Sequence, residues 1–273
     1  MRRFLGLAAL AAAFVAGPAT AQTEIVVQYA IPDIFKDVQE EIAKQFMAAN
    51  PNIKVKFTQP TKEYEDATQQ VLRNAVTGQL PDVTFQGLNR QRILADRGIA
   101  QPLDGLIAAE KDWAKAGYDG ALLTLGQVKG KQYGMGFSLS TPIIYFNADL
   151  VKKAGGDPDN FPKTWEGIFA LAKKINDPAN KITGFHFDWD ITGNWMWQAL
   201  VFSNGGTMLT ADEKKVAFDQ PPGQKAIETL RLMITDGTMR DVSQATSLQD
   251  FVAGRLGIWA HSTSRLGGGH ASQ

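Results

Sequence analysis

The chain has 273 residues, and its 28 Lys or Arg residues balance its 28 Asp or Glu residues, so the formal net charge is zero. Because no basic cluster follows the first three positions, the chain lacks the electrostatic footprint of a nucleic-acid-binding protein. The absence of cysteine excludes a disulfide framework, a thiolate catalyst and Cys-ligated zinc. With 44% hydrophobic residues, the chain can bury one large core or two modest ones.

The N-terminus has the three parts of a secretory signal peptide. Arg2 and Arg3 precede an apolar run from Leu5 to Ala16, and small residues at 19–21 form a cleavage site. We therefore predict a signal peptide over residues 1–21, cleaved near Ala21. The apolar run is too short to span a bilayer permanently, and without a following cysteine a lipid anchor is excluded, so we expect a diffusible periplasmic protein. The secretory route is favoured over twin-arginine export, because RRFLG lacks the spacing of that signal.

Strands and helices alternate from residue 24 onwards. EIVVQY (24–29) and IKVKF (53–57) are typical of strands, and apolar residues recur at helical spacing between them, at Phe35, Val38, Ile42 and Phe46. Strand, helix and strand in so few residues predict a parallel βαβ unit.

The next elements extend this pattern. Tyr64 is predicted to open a helix that ends at Gly78, and a third strand follows over 83–85. Several short helices are expected from 89 to 125, where glycine and proline interrupt the chain. The alternation favours a doubly wound α/β lobe, in which ligand-bearing loops follow the carboxyl ends of strands, as Gln86 does.

The stretch GKQYGMGFSLSTPIIYFNADL (130–150) is interpreted as a hinge crossing that also lines a ligand site. Ser138, Ser140 and Thr141 precede a β-rich segment and a helix that starts at Asn147. Pro142 fixes its own φ and disfavours helical geometry at Thr141, so the backbone around the hydroxyls is expected to be extended. The alternative is that these are ordinary polar turn residues.

Beyond the crossing, Thr164 is predicted to cap an amphipathic helix that buries Ile168, Leu171, Ala172 and Ile175. A strand is expected over 183–187, helices over 221–234 and 248–252, and a last strand over 256–260. The segment 261–264, which includes Ser262 and Thr263, is expected to be the polar exit of that strand.

A tryptophan-rich stretch, DWDITGNWMW (188–197), combines rings with carboxylates and an amide. Such rings pack on the C–H faces of a sugar, while polar groups bind its hydroxyls. Any single tryptophan is more often a core residue, as we expect for Trp259. Trp189 and Trp195 remain candidates, Trp195 above all, because a buried helix face can form without it, from Met196, Leu200 and Val201.

A carbohydrate-active enzyme is the alternative class. Asp188 and Asp190 are two residues apart, which on a strand would place both carboxylates on one face, as in a glycosidase. Other enzyme motifs are absent, since the three histidines, His186, His261 and His270, fall outside a metalloprotease motif and GFSLS is not a nucleophile elbow. Asp157–Asn160 lacks the downstream residues of a calcium loop and is interpreted as a turn. No metal or cofactor is predicted.

Several segments resemble one family, the bacterial extracellular solute-binding proteins that serve sugar-importing ABC transporters. They are GMGFSLSTPIIYFNADLVKKAG with FPKTWEGIFALAKKI, YEDATQQVLRNAVTGQLPDVTF, and FVAGRLGIWAHSTSRL, which resembles an F-x-x-G-x-x-A-M segment. The S-T-P-x-x-Y-x-N run is most similar to the glycerol-3-phosphate-binding branch. Leu139 stands where that branch tends to have a polar residue, which weighs against a phosphate-bearing ligand, whereas Arg265 could meet a phosphate.

The resemblance implies a periplasmic-binding-protein-like α/β fold of two doubly wound lobes, 22–137 and 138–273, joined by a hinge near 136–142. It implies a monomeric, non-enzymatic receptor that captures a sugar or glycerol-3-phosphate-like ligand between its lobes and delivers it to the permease subunits of an importer. In the family the polypeptide continues further, so we expect a chain that lacks the C-terminal part. The ligand-binding residues it implies, together with the residue patterns above, are Tyr64, Gln86, Ser138, Ser140, Thr141, Trp189, Trp195, Ser262 and Thr263.

Overall fold

The computed structural model describes residues 22–118, 120–191 and 194–266. The predicted signal peptide and His270 lie outside them. The chain divides into two compact units, of which one ends at Ile99 and the other begins at Ala100. The lobe boundary expected from the sequence, after residue 137, stays a prediction. Among the described residues, no helix is both long enough and apolar enough to cross a membrane.

The first unit contains a three-stranded parallel sheet. Its elements in chain order are β1 (Thr23–Gln28), α1 (Pro32–Ala49), β2 (Ile53–Phe57), α2 (Tyr64–Thr77), β3 (Val83–Thr84) and α3 (Gln91–Asp96). The strand order is β2-β1-β3, and β1 pairs in parallel with both neighbours, which confirms the predicted βαβ unit. Gln28 at the end of β1 lies opposite Thr84 at the end of β3, so the carboxyl ends of both strands share one edge.

Both long helices of this unit form where the sequence predicts them, but α1 does not bury the apolar residues that recur at helical spacing. Helix α2 begins at Tyr64 and ends at Gly78, whose φ of 71° suits a residue without a Cβ. On α1 the apolar residues Val38 and Ile42 are 48% and 58% exposed. That helix instead packs through Gln39 and Ala43, which are buried.

The second unit mixes short helices with a second sheet. Its elements are α4 (Asp104–Ala109), α5 (Gly120–Leu125), β4 (Gln127–Val128), β5 (Lys131–Gln132), β6 (Pro142–Phe146), α6 (Ala148–Lys153), α7 (Trp165–Ile175), β7 (Thr183–Phe187), α8 (Trp195–Ser203), α9 (Pro221–Thr235), α10 (Gln244–Val252) and β8 (Leu256–Ser262). Strands β4 and β5 form a hairpin whose turn residues, Lys129 and Gly130, both have positive φ, as a type I′ turn requires.

Strand β8 is the centre of the second sheet. The order is β6-β8-β7, with β6 antiparallel and β7 parallel to β8. Every residue of β7 and β8 is buried. The sequence predicts that the last strand ends at Ala260. Strand β8 continues through Ser262 because every residue of β6 pairs with it, with Pro142 opposite Ser262. His261 and Ser262 are therefore strand residues rather than part of a polar exit.

Helix α7 packs on the sheet and supplies much of the core of this unit. Thr164 caps it by accepting a hydrogen bond from the Gly167 amide at 3.2 Å, as predicted. The four side chains expected inside are buried, at Ile168, Leu171, Ala172 and Ile175. At Gly184 a Cβ would lie 2.1 Å from the Ala172 carbonyl oxygen, so only glycine allows β7 to approach this helix.

A predicted helix start and a predicted turn are also confirmed. Asn147 caps α6 by accepting hydrogen bonds from the amides of Asp149 and Leu150. The segment 157–160 forms a turn in which the Asp157 carboxylate accepts a hydrogen bond from the Asp159 amide at 3.0 Å. Its carboxylate therefore stabilises the local backbone.

Candidate functional site

The first unit has a hydrogen-bonded row of polar side chains along the carboxyl edge of its sheet. Gln28, at the end of β1, is buried, and its Oε1 accepts a hydrogen bond from Thr84 Oγ1 at 2.7 Å. Thr84 Oγ1 in turn accepts from Gln86 Nε2 at 2.7 Å, and Gln86 Oε1 accepts from Thr68 Oγ1 at 2.7 Å. The amide of Gln86 is thus held in one orientation by groups on both β3 and α2.

Tyr64 stands beside this row. It is the first residue of α2, and burial raises its pKa to about 12, so the phenol stays protonated and can donate a hydrogen bond. A Cβ on Gly87 would come within 3.2 Å of the Tyr64 ring, so the glycine lets the chain after β3 pass close to that ring. The sequence-predicted residues Tyr64 and Gln86 therefore occupy one edge of the first unit.

In the second unit the structure brings together three predicted residues at the end of the sheet. The Thr141 amide donates to Thr263 Oγ1 at 3.1 Å, and the Thr263 amide donates to the Thr141 carbonyl at 3.0 Å. Ser262 is buried and its Oγ accepts a hydrogen bond from the Ser264 amide at 3.1 Å, which fixes the turn that follows β8. We call Thr141, Ser262 and Thr263 the junction. These hydrogen bonds join the segment before β6 to the turn after β8.

The remaining two serines lie just before the junction along the chain. Ser140 is half-buried and Ser138 is exposed, in a segment without regular secondary structure between β5 and β6. The expectation that both line a ligand site stays a prediction.

The two candidate tryptophans lie at separate elements. Trp189 follows β7, is 42% exposed, and its Nε1 donates to Asp241 Oδ1 at 3.2 Å. Trp195 is the first residue of α8 and packs partly buried against the core. The buried face predicted for this helix is confirmed, at Met196, Leu200 and Val201.

The predicted carboxylate pair is wrong. Strand β7 ends at Phe187, so Asp188 and Asp190 do not alternate on a strand. Asp188 is 0% exposed, whereas Asp190 lies exposed in the turn beyond it. A glycosidase needs two carboxyl groups that flank one substrate bond, and a fully buried carboxylate cannot do so. The enzyme alternative therefore loses the residues on which it was based.

Asp188 is instead the centre of a buried polar cluster that the sequence analysis missed. Its Oδ1 accepts a hydrogen bond from Ser247 Oγ at 3.0 Å and lies 3.2 Å from His186 Nε2, and its Oδ2 accepts one from Trp259 Nε1 at 2.5 Å. His261 Nε2 lies 3.4 Å from Oδ2, close enough for attraction, although that nitrogen has no hydrogen-bond partner among the described residues.

One signal in the sequence could have revealed this cluster. His186 and His261 are histidines inside largely apolar strand segments, TGFHF and LGIWAHS, and buried polar side chains need partners. The spatial pairing of β7 with β8, which sets His186 beside Trp259, could not be deduced from spacing along the chain.

A small cavity adjoins the cluster. It is lined by Thr183, His186, Arg240, Val242, Ser247, Asp250 and Leu256. None of the sequence-predicted site residues is among them. In the described part of the chain, moreover, no group of three or more His, Cys, Asp or Glu side chains could hold a metal ion.

Known proteins resemble this chain over most of its length. The family model for bacterial extracellular solute-binding proteins matches residues 31–268. The chain is 26% identical to the sn-glycerol-3-phosphate-binding periplasmic protein UgpB of Agrobacterium fabrum, in a match that covers 93% of this chain and 60% of that protein. The chain thus spans well under two thirds of the length of this relative.

Solved structures show the same fold at low sequence identity. UgpB from Mycobacterium tuberculosis in complex with glycerophosphocholine aligns with a TM-score of 0.78 and 20% identity, over 91% of this chain and 64% of that one. The substrate-binding protein Lmo0181 from Listeria monocytogenes in complex with cycloalternan aligns with a TM-score of 0.77 and 24% identity, over 89% and 62%. The α/β solute-binding fold expected from the sequence is therefore confirmed.

Proposed function

The chain belongs to the family of bacterial extracellular solute-binding proteins, and on this premise we propose that it is the solute-binding component of an ABC importer. The observation that carries the proposal is the family match over residues 31–268. The function of such a component is equilibrium capture of a small molecule and its delivery to membrane permease subunits, so no bond is made or broken. The proposed location is the periplasm, after cleavage of the signal peptide near Ala21.

The proposed ligand is a sugar or a glycerol-3-phosphate-like polyol. The relatives support both classes, since one is named for sn-glycerol 3-phosphate and a structural neighbour holds cycloalternan. In the first unit, the Tyr64 ring beside the fixed amide of Gln86 supplies the two kinds of group that bind polyols, an aromatic face and a hydrogen-bonding rim.

The second unit supplies further groups of the same chemistry. Trp189 presents an exposed ring at the end of β7, and the junction presents hydroxyl and backbone groups at the end of β8. A phosphate would need a cation in addition, and Arg265, in the turn after β8, is the side chain we assign to it. The predicted capture of ligand between two lobes stays a prediction, as does a monomeric state.

Two alanine variants test the proposed ligand residues of the first unit. Tyr64→Ala removes the ring beside Gln86, whereas Tyr118→Ala removes a tyrosine that stacks on Trp113 at 5.3 Å and belongs to no proposed site. Calorimetric titration with sn-glycerol 3-phosphate and with maltose should show saturable binding to the unchanged protein. We expect Tyr64→Ala to weaken the stronger of the two about tenfold or more, because a stacked ring and its hydrogen bond are lost.

The control should bind like the unchanged protein. Equal loss of affinity in the two variants would show that Tyr64 is not part of the ligand site. Failure of the unchanged protein to bind either probe would contradict the proposed ligand class itself.

A further inference from the structure

The Asp188 carboxylate joins three elements of the second unit. Trp259 on β8 and Ser247 on α10 donate hydrogen bonds to it, with the Ser247 hydroxyl 3.0 and 3.1 Å from the two carboxylate oxygens. His186 Nε2 on β7 lies 3.2 Å from Oδ1. Asp188 is completely buried. A buried carboxylate is costly unless it is fully hydrogen-bonded, so its donors must keep their positions.

The groups that face each histidine ring show which of its nitrogens carries a proton. His186 Nδ1 lies 3.1 Å from the Arg240 carbonyl oxygen, which can only accept, so Nδ1 carries a proton. Nε2, the other nitrogen of this ring, lies 3.2 Å from Asp188 Oδ1. In His261, Nδ1 accepts from the Ser262 amide at 2.5 Å, so the single proton of the neutral ring is on Nε2, which faces Asp188.

These contacts connect Asp188 to the junction. His261 Nε2 lies 3.4 Å from the Asp188 carboxylate on one side, and its Nδ1 accepts a hydrogen bond from the Ser262 amide on the other. Ser262 Oγ then fixes the turn that carries Thr263, and Thr263 bonds Thr141 across the strand pair. The path from the carboxylate to the junction therefore consists of hydrogen-bonded or directly facing neighbours.

Trp189 depends on the same carboxylate through the backbone. It follows Asp188 directly in the chain, and its amide donates to the Phe187 carbonyl at 2.9 Å. Because Trp259 Nε1 on β8 donates to the buried Asp188 carboxylate, the tight turn that presents the exposed Trp189 ring has a fixed starting point.

We propose that Asp188 is a positioning residue of the ligand surface of the second unit, which sets the orientation of Ser262 and Thr263 through His261 and that of Trp189 through the backbone. The proposal rests on the proposed function, since it assigns these groups to ligand binding. Asp188 itself is buried and touches no ligand.

Asp188→Asn tests the proposal, with Asp190→Asn as the matched control. The first variant keeps the shape of the side chain and removes its charge, and the second makes the same change at an exposed position two residues on. In ¹H–¹⁵N spectra of the full chain we expect Asp188→Asn to shift the Trp259 indole signal and the amide signals of Ser262 and Thr263. The control should leave all of these signals in place.

Binding separates positioning from a purely structural role. Maltose and sn-glycerol 3-phosphate serve as probes, and we expect Asp188→Asn to weaken the better probe about fivefold to tenfold. Ser247→Ala removes one donor on the α10 side but leaves the carboxylate and its contacts to β8 intact. It should therefore lower the midpoint of unfolding without lowering affinity.

The outcomes are distinguishable. Two results would overturn the positioning role. One is a loss of affinity in Ser247→Ala that matches its loss of stability. The other is an Asp188→Asn spectrum in which the signals of Ser262 and Thr263 do not move. If Asp188→Asn does not fold, His261→Phe removes both ring nitrogens and so interrupts the same path with the carboxylate in place, and the same loss of affinity is expected. Shifted junction signals in a protein that binds neither probe would leave the positioning of the junction standing and contradict the proposed function.

Discussion

Lowering the pH should destabilise the second unit through His261. Burial lowers the pKa of this imidazole from 6.5 to about 4, because the charged ring would lose its water; the positive groups Arg265 and His186 act in the same direction, and the Asp188 carboxylate opposes them. Above pH 6.5 the ring is neutral in the folded and the unfolded chain. Between pH 6.5 and about pH 4 only the unfolded chain takes up the proton, so stability is lost as the pH falls through this window.

The magnitude follows from the two pKa values. A difference of one pKa unit corresponds to about 1.36 kcal/mol, so the fall from 6.5 to about 4 corresponds to roughly 3 kcal/mol. The ring is almost completely buried, so this figure needs no large reduction for solvent screening. His261→Asn keeps an acceptor near the Ser262 amide and removes the titrating group.

Denaturant unfolding followed by tryptophan fluorescence measures this effect in one unit, because all six tryptophans lie beyond residue 100. Between about pH 7 and about pH 4 the unchanged protein should lose about 3 kcal/mol more than His261→Asn. Because the two proteins differ only at residue 261, the difference between their pH dependences reports the replacement of His261. Equal pH dependence in the two proteins would refute the reasoning, as would an NMR titration in which His261 protonates near its ordinary pKa.

Three further substitutions have definite expected outcomes. Trp259→Phe keeps an aromatic ring and removes the donor to the buried Asp188 carboxylate, so the free energy of unfolding of the second unit should fall by about 1–3 kcal/mol; an unchanged denaturation midpoint would contradict this. Gly184→Ala places a methyl group against the Ala172 carbonyl and should lower the free energy of unfolding of the second unit by about 1–3 kcal/mol, measured in the same way; an unchanged midpoint would show that β7 and α7 separate at no cost. Gln86→Ala should weaken polyol binding in calorimetry about threefold to tenfold, since one oriented amide is lost from the edge of the sheet, and should lower the free energy of unfolding by about 1 kcal/mol, because Thr84 and Thr68 each lose a partner; undiminished affinity would exclude that amide from the ligand site.

Local chemistry made much of the fold predictable. Thr164 caps α7 and Asn147 caps α6 as expected, because a cap depends on residues within one turn of itself. Gly78 ends α2 for the same local reason. The periodicity of α7 correctly identified its buried face, since a sheet covers that side of the helix.

Features that depend on pairing between distant segments were missed. The two extra residues of β8 exist because β6 pairs with them, over more than a hundred intervening positions. The spacing of Asp188 and Asp190 suggests a carboxylate pair on one face of a strand, whereas partners from β8 and α10 make Asp188 a buried centre. Spacing alone also could not tell that α1 packs through Gln39 and Ala43 and leaves Val38 exposed.

Capture of a small polyol without chemical change is tested most directly by equilibrium dialysis of the protein against isotopically labelled sn-glycerol 3-phosphate and maltose, followed by mass spectrometry of the ligand recovered from the protein. We expect saturable retention of at least one of the two and recovery of that ligand intact. Retention of neither ligand, or recovery of a hydrolysed product, would contradict the proposal that this chain is a solute-binding receptor for this class of molecule.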